Sequence, residues 1–466
     1  MWRLKKYGNR PALTSDTGIS LTYEQLAIQT GLFSEKITGY DGMRPLVFVL
    51  CGKCVETIVV YAACINNKIP VFMLPGNINA YRLESLMEAY RPEYIWREFG
   101  AADIQDDMEY IYGYGKYALF KTEYFNVEKS GNINEELALL LSTSGTTGNG
   151  KTVRISYKNI LANTISITEA LSITCTDRTA TTLPLHYTYG LSLINTYLYV
   201  GAEILVTGKS VLSREFWTFF NGHKGNSFSG VAYTYRMLRK AGVFNSRPPY
   251  LKVITQAGER LSETMYRYLA EMAVRWEIRF YPMYGQTEAT ARITVMPSDK
   301  TMEKIPSVGK PVSGGYVEIH DDKGNVLSPG MKGRLIYHGE NVAMGYAVDR
   351  CGLAGPDEWN GYLDTGDMGY MDEESYIYIT GREDEYVKVA GNRISLSDIE
   401  ELVSERFSEC VVKGIAGEDA IEIRCKCRDK EEIIKYLTDV TGLGRSSIRV
   451  VCVSEIEVTD SGKVKR

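Results

Sequence analysis

The chain reads as an α/β protein, with a large N-terminal region of helix-covered sheets, a small β subdomain and a small C-terminal α+β unit. Three observations lead there. Over the first ~280 residues, short β-rich apolar runs alternate with helix-length segments, the pattern of parallel strands packed under helices. After about Tyr284 short strands and glycine-rich turns dominate, as in Gly314-Gly315, Asp322-Lys-Gly-Asn325 and Ser328-Pro-Gly330. From about Asp384 strands and helices mix again. A length of 466 residues exceeds what one ordinary core organises. The expected division is 1–383 and 384–466, the first part holding two α/β sheet subdomains to about 283 and a β-rich subdomain over about 284–383.

The strands expected in the first part are Leu46–Leu50, Pro70–Leu74, Leu137–Leu141, Thr179–Leu183, Glu203–Val206, Phe228–Val231, Val253–Gln256 and Ile278–Tyr281. The helical segments between them include Lys53–Asn66, Ala80–Tyr90, Lys158–Leu171 and Ser262–Arg275. In the C-terminal unit, helices are expected over Ser397–Phe407 and Glu431–Thr441. Strands are expected near Val411–Ile415 and Ala420–Cys425. No internal repeat or low-complexity stretch interrupts this order.

Bulk composition excludes several classes. Lys plus Arg number 53 and Asp plus Glu 58, a net charge of −5. That mild acidity disfavours nucleic acid or an anionic membrane as the main partner. The richest apolar run, Leu191 to Val206, is broken by Ser192, Asn195, Thr196, Gly201 and Glu203 and falls short of a membrane span. The basic start, Met1 to Lys6, has no apolar stretch behind it, so no signal peptide is read there and a cytoplasmic setting is expected. Nine scattered cysteines do not suggest a disulfide framework. Cys51-Gly-Lys-Cys54 invites a redox reading, but it opens an apolar helix and reads better as packing.

The richest local signal is Leu139-Leu-Leu-Ser142-Thr143-Ser144-Gly145-Thr146-Thr147-Gly148-Asn-Gly-Lys151-Thr152. A strand delivers the chain into a glycine, serine and threonine loop ending in lysine. Glycines let backbone N–H groups turn toward an anion, and hydroxyls and an ammonium add donors, so polyphosphate is the natural guest. Gly145 to Thr152 satisfies the Walker pattern G-x-x-x-x-G-K-[ST]. A Walker lysine opens a helix, however, and Thr152-Val-Arg-Ile-Ser156 alternates as a returning strand. The loop therefore reads as a hairpin tip over phosphates.

This loop resembles the first motif of the acyl-adenylate-forming superfamily, which comprises acyl- and aryl-CoA synthetases, nonribosomal adenylation domains and luciferases. Where the family usually has proline before the lysine, this chain has Gly150. Further motifs follow in the family's order. Tyr284-Gly285-Gln286-Thr287-Glu288 is similar to its second motif. The resemblance implies Tyr284 against adenine, Thr287 on the α-phosphate and Glu288 on magnesium, and magnesium does favour a carboxylate plus phosphate oxygens. Tyr362-Leu-Asp-Thr-Gly-Asp367 and Gly381-Arg382 resemble the ribose motifs; a carboxylate suits a cis-diol. Asp384 falls at the family's interdomain hinge. Lys388 and Gly391 match the loop that faces the acyl-AMP in the thioester step. Thr459-Asp-Ser-Gly-Lys463 resembles the catalytic-lysine motif, with Glu457 in place of its leading proline.

The resemblance implies ATP-dependent acid adenylation followed by transfer to a thiol, with ATP and Mg2+ required and a mobile C-terminal lid. Leu183-Pro-Leu-His186-Tyr187-Thr-Tyr-Gly190 matches the acid-pocket segment, His186 standing beside the carboxylate. Amino-acid-activating relatives carry aspartate where this chain has Tyr187, so a fatty, short acyl or aryl acid is expected. Val231, Ala232 and the segment Gln256-Ala257-Gly258-Glu259 should line the rest of the nucleotide and acid sites. The acceptor is either coenzyme A or the phosphopantetheine arm of an acyl carrier protein. The clipped Gly417-Glu-Asp-Ala420 hairpin leaves less surface for the nucleotide end of coenzyme A. Two rivals are a P-loop phosphotransferase and a non-catalytic nucleotide-binding relative; the joint presence of Thr287, Glu288, Asp367, Arg382 and Lys463 argues against the second.

Overall fold

The apolar run Val47–Cys51 is buried at every position, as a strand covered on both faces must be. It sits inside an eight-stranded sheet. Its order is Gly345–Ala347, Thr152–Ser156, Leu137–Ser142, Val71–Pro75, Val47–Cys51, Tyr94–Glu98, Tyr117–Lys121 and Glu109–Tyr114. The four strands from Leu137–Ser142 to Tyr94–Glu98 are parallel. The structure is a computed structural model that describes residues 1–39, 42–100, 108–126, 132–142, 152–382, 386–389, 392–407, 410–415, 420–426, 429–441 and 443–456.

A nine-stranded sheet lies beside the first. Six of its strands are parallel: Arg279–Tyr284, Val253–Gln256, Ser227–Gly230, Arg178–Ala180, Glu203–Val206 and Pro11–Ser15. Between the sheets run two helices, Val55–Asn66 and Thr188–Val200, buried on nearly every side. One apolar cluster joins them to Val47 and Val49 of the first sheet and to Leu13, Ile204 and Val206 of the second. Helix Ala80–Tyr90 covers the outer face of the first sheet, and Arg214–Gly222, Ala232–Lys240 and Glu263–Trp276 that of the second. The result is the mixed α/β arrangement that the alternating pattern predicts.

Differences from the sequence reading have local causes. The strand expected over Thr179–Leu183 ends at Ala180, where the Thr181 hydroxyl donates to the Thr207 carbonyl and accepts the Thr207 amide in place of the ladder. The apolar run Leu191–Val206 is two elements. A helix ends at Val200, Gly201 takes φ +76, and strand Glu203–Val206 follows. Among the described residues no helix is long and apolar enough to cross a membrane.

Residues Gly315–His320, Gly333–Gly339, Tyr362–Met371 and Ile377–Arg382 form a four-stranded antiparallel sheet. Flanking short strands join the larger sheets: Thr294–Val295 pairs with Arg279–Tyr284, and Gly345–Ala347 pairs with Thr152–Ser156. The C-terminal elements have a core of their own, built from Val403, Val412, Ile423, Ile433 and Leu437. Its strand Ile448–Cys452, parallel to Ile421–Cys425, was not expected from the sequence. Among the described residues seven cysteines are free thiols and Cys452 is disulfide-bonded, one bridged cysteine rather than a framework. Burial pushes the Cys54 thiol up to about 11 and Cys51 well above its ordinary value. Both are poor thiolates, which fits packing rather than redox chemistry.

Candidate active site

Open α/β sheets present ligand sites beyond the carboxyl ends of their strands. The strand Arg279–Tyr284 ends there, followed by Gly285. A Cβ on Gly285 would stand 1.8 Å from the Ala291 carbonyl oxygen, so only glycine lets the chain double back. Three neighbouring motifs converge on this edge.

The first convergence is around Asp367, which is 5% exposed. The Tyr284 hydroxyl donates to its Oδ2. Gln286 Nε2 donates to the same oxygen at 2.5 Å and to the Thr365 carbonyl at 2.8 Å. Arg382, paired with Asp367 across adjacent strands, brings Nη1 to 3.6 Å from Oδ1. Burial, reinforced by the Asp367 charge, holds the Tyr284 phenol far above its ordinary value, so it stays a donor. The four side chains predicted to meet an adenosine are thus one group, Tyr284 and Gln286 hydrogen-bonded to Asp367 and Arg382 ion-paired with it.

The second is at Thr287 and Glu288. Thr188 Oγ1, at the start of helix Thr188–Val200, donates to Thr287 Oγ1 at 2.9 Å. The acid-pocket segment is thereby tied directly to the second motif. Tyr346 donates its hydroxyl to Glu288 Oε1 at 2.8 Å, and its ring stands edge-on to Trp359 at 4.9 Å. Burial and the Glu288 charge raise the Tyr346 phenol. The second Glu288 oxygen carries no hydrogen bond among the described residues. One half-buried carboxylate with an open oxygen suits magnesium, which takes its other ligands from phosphates and water. Among the described residues no cluster of three or more acidic, His or Cys side chains gathers to hold a metal alone.

The third is the predicted acid pocket. Val231, Ala232 and Ala257 are buried, and His186 and Tyr187 half-buried. Gly258 takes φ +91, and a Cβ there would meet the Tyr187 hydroxyl at 2.5 Å. Gln256 Nε2 donates to the Glu259 carbonyl at 2.7 Å, and the Tyr233 amide to Glu259 Oε2 at 3.2 Å. A Cβ on Gly190 would stand 2.1 Å from the Pro184 carbonyl oxygen, which fixes the turn into the helix.

Ser142 ends its strand opposite Thr152, the first residue of the returning strand. The two strands are antiparallel, as the hairpin reading requires. Thr143, Ser144, Gly145, Thr146, Thr147, Gly148 and Lys151 lie outside the described residues, as do Asp384, Gly391 and Lys463. Lys388 is on strand Tyr386–Val389.

The C-terminal unit meets the large one near Glu259. Arg260 Nη1 reaches Asp398 Oδ1 at 2.8 Å. Two residues further along the same helix, Glu400 accepts the Val412 amide at 2.8 Å. Burial pushes the Glu400 carboxyl up to about 7; the Val412 hydrogen bond opposes this, Glu259 adds to it, and Arg236 opposes it. The sign follows from linkage. A carboxyl raised above its unfolded value of about 4.3 withholds stability progressively as pH rises toward and past 7. Glu400→Gln is therefore expected to slow hydrogen exchange in helix Leu396–Arg406 at pH 8, by the equivalent of roughly 2 kcal/mol, and to leave it unchanged at pH 4.

Sequence reasoning missed Thr188, Tyr346 and Arg292. The first two contact their partners across 99 and 58 residues, which no local spacing reports. Arg292 did leave a signal, a lone charge in the otherwise apolar and small run Ala289-Thr-Ala-Arg-Ile-Thr-Val295.

The model of the family described as AMP-binding enzyme matches residues 1–347. An oxalate–CoA ligase from Saccharomyces cerevisiae is 28% identical over 346 residues, covering 72% of this chain and 62% of that protein. A 2-succinylbenzoate–CoA ligase from Bacillus mycoides is 28% identical over 325 residues, covering 65% and 63%. The chain thus spans less than two thirds of the length of these curated relatives. The solved O-succinylbenzoate coenzyme A synthetase from Bacillus subtilis, in complex with AMP, superposes with a TM-score of 0.80 at 20% identity, over 99% of this chain and 96% of that one. The chain belongs to the AMP-binding enzyme family.

Proposed function

We propose that the protein joins a carboxylic acid to AMP, releasing pyrophosphate, and then passes the acyl group to a pantetheine thiol, that of coenzyme A. The observation that carries this reading is the convergence of Asp367, Tyr284, Gln286 and Arg382 with Thr287 and Glu288 at one sheet edge, joined to the acid-pocket helix through Thr188. Both curated relatives described above are named as CoA ligases, which favours coenzyme A over a carrier protein as acceptor.

The chemistry follows from charge. A carboxylate is a weak nucleophile and is repelled by a polyphosphate. The site must hold both and align the carboxylate oxygen with the α-phosphorus for in-line displacement. Asp367 and Arg382 hold the ribose, Tyr284 lies along the adenine, and Thr287 donates to the α-phosphate. Glu288, oriented by the Tyr346 hydroxyl, would hold magnesium, which when bound would neutralise phosphate charge. Lys151 and Lys463 supply further positive charge, on the outer phosphates and between the acid and the α-phosphate. Acyl-AMP is prone to hydrolysis, so the C-terminal unit covers it, and a turn at Asp384 then exchanges Lys463 for the loop of Lys388 and Gly391.

The test is ATP–pyrophosphate exchange with aliphatic and aromatic acids, followed by thioester formation with coenzyme A. Acid-dependent exchange is expected. ATP hydrolysis independent of every acid would replace this reading with a phosphotransferase. Thioester formation on a carrier protein alone would overturn the choice of acceptor.

A further inference from the structure

Arg292 is 2% exposed, yet no carboxylate pairs with it among the described residues. Its guanidinium makes three contacts, none to an anion: Nε to the Met283 sulfur at 3.3 Å, Nη1 to the Ala291 carbonyl at 3.3 Å, and Nη2 to Ser192 Oγ at 3.4 Å. It lies 4.0 Å over the Tyr189 ring. The titratable groups that act on it are the Tyr189 and Tyr187 phenols, and Asp177 and Arg279 line the same space. A buried cation without an anion costs several kcal/mol, and such groups are ordinarily paired.

The backbone spends further energy to hold it there. Thr290 and Ala291, neither of them glycine, take φ +53 and +130 immediately before Arg292. Asn163 and Asn341 clamp the Arg292 carbonyl at 2.9 Å each, and Asn163 Oδ1 accepts its amide at 3.2 Å. The side chain is therefore aimed inward and cannot swing to solvent.

Its position relative to the reacting centre can be read along one helix. Thr188 touches Thr287, and Ser192 touches Arg292. Thr188 and Ser192 are four residues apart, on one face and about 6 Å along the axis. An acid whose carboxylate meets the α-phosphate at Thr287 would carry its far end toward Ser192. The space there is narrow, about 10 Å³, and mixed in character. Ser192, Ser229, Thr255 and Arg292 line it together with apolar side chains such as Leu193 and Val253, and Arg279 and Asp177, the latter held by Thr174 and Asn226, also border it. So small a space beside Arg292 has no room for a long alkyl chain.

We infer that Arg292 pairs with a second carboxylate of the acid, so that the protein selects dicarboxylic over monocarboxylic substrates. The inference rests on the adenylation reading above and names its substrate class. The reaction that supplies this substrate must therefore leave two free carboxylates, and the reaction that consumes the product receives an acyl thioester still bearing one.

Exchange of pyrophosphate into ATP tests it with matched pairs: malonate, succinate, glutarate and phthalate against propionate, butyrate, pentanoate and benzoate. The dicarboxylic member of at least one pair is expected to be preferred by about 10- to 100-fold in kcat/KM, the worth of a charge-assisted pair. Arg292→Gln should erase that preference, and Arg292→Lys should restore part of it. A purely structural Arg292 would lower both members of a pair alike and leave their ratio unchanged. Equal or better use of the monocarboxylic acids by the native protein, or an unchanged ratio in Arg292→Gln, overturns the inference and leaves adenylation standing. Exchange with none of the eight acids overturns the adenylation reading itself.

Discussion

Lys463→Ala is expected to slow acyl-AMP formation about a thousandfold while leaving thioester formation from supplied acyl-AMP nearly unchanged. The reason is where charge develops. In the first half-reaction two anions approach, and negative charge grows on the oxygen bridging the α- and β-phosphates. An ammonium between the acid and the α-phosphate stabilises the transition state more than the separated reactants, which is the condition for a rate effect. In the second half-reaction a neutral thiol, or its thiolate, attacks an acyl carbon already activated by AMP. No polyphosphate is present, and the Lys463 charge has nothing left to neutralise. The measurement is a pair of single-turnover rates on the same variant, with ATP plus acid in one and acyl-AMP plus coenzyme A in the other. Equal losses in both would refute the exchange of Lys463 for Lys388 and Gly391 between half-reactions.

How much of this was legible in the sequence depends on whether an element's evidence is local. Buried parallel strands are continuous apolar runs, so Val47–Cys51 and Val253–Gln256 could be read to within a residue. Helix Glu263–Trp276 shows one apolar face toward the second sheet and was read as readily. Helix Thr188–Val200 is not legible as a helix, because its apolar run continues through Gly201 into strand Glu203–Val206 and marks no end. The ordered motifs singled out Asp367, Thr287 and Glu288 as candidates, but not what holds them. Tyr346 reaches Glu288 only because Gly345–Ala347 leaves the small sheet's neighbourhood to pair with Thr152–Ser156. That pairing also links Glu288 to Thr152–Ser156, the strand that follows the glycine-rich loop. Side chains that act on substrate can be recognised by type and order, whereas those that position them are fixed by tertiary register.

Asp367→Asn is expected to lower kcat/KM for ATP by about 100-fold, most of it in KM, and to leave KM for the acid nearly constant. The substitution keeps the volume, so packing around this buried position survives. It also keeps one acceptor oxygen, which the Tyr284 hydroxyl and the Gln286 amide would compete to retain on the Oδ2 side. The new amide then points its hydrogens at Arg382, whose Nη1 stands 3.6 Å from Oδ1 in the native protein. Two donors face each other, the Coulombic pairing that orients Arg382 is gone, and the ribose diol loses its acceptor. Arg382 also lies close enough to the Tyr346 phenol to lower its pKa against the larger effects of burial and Glu288. A displaced Arg382 is therefore felt at the magnesium-side carboxylate as well as at the sugar. Isothermal titration with AMP and steady-state kinetics in ATP and in acid separate these effects. A variant that binds AMP as tightly as the native protein, or that loses affinity for the acid instead, would remove the ribose from Asp367 and dismantle the orientation of the nucleotide on which in-line attack at the α-phosphorus depends.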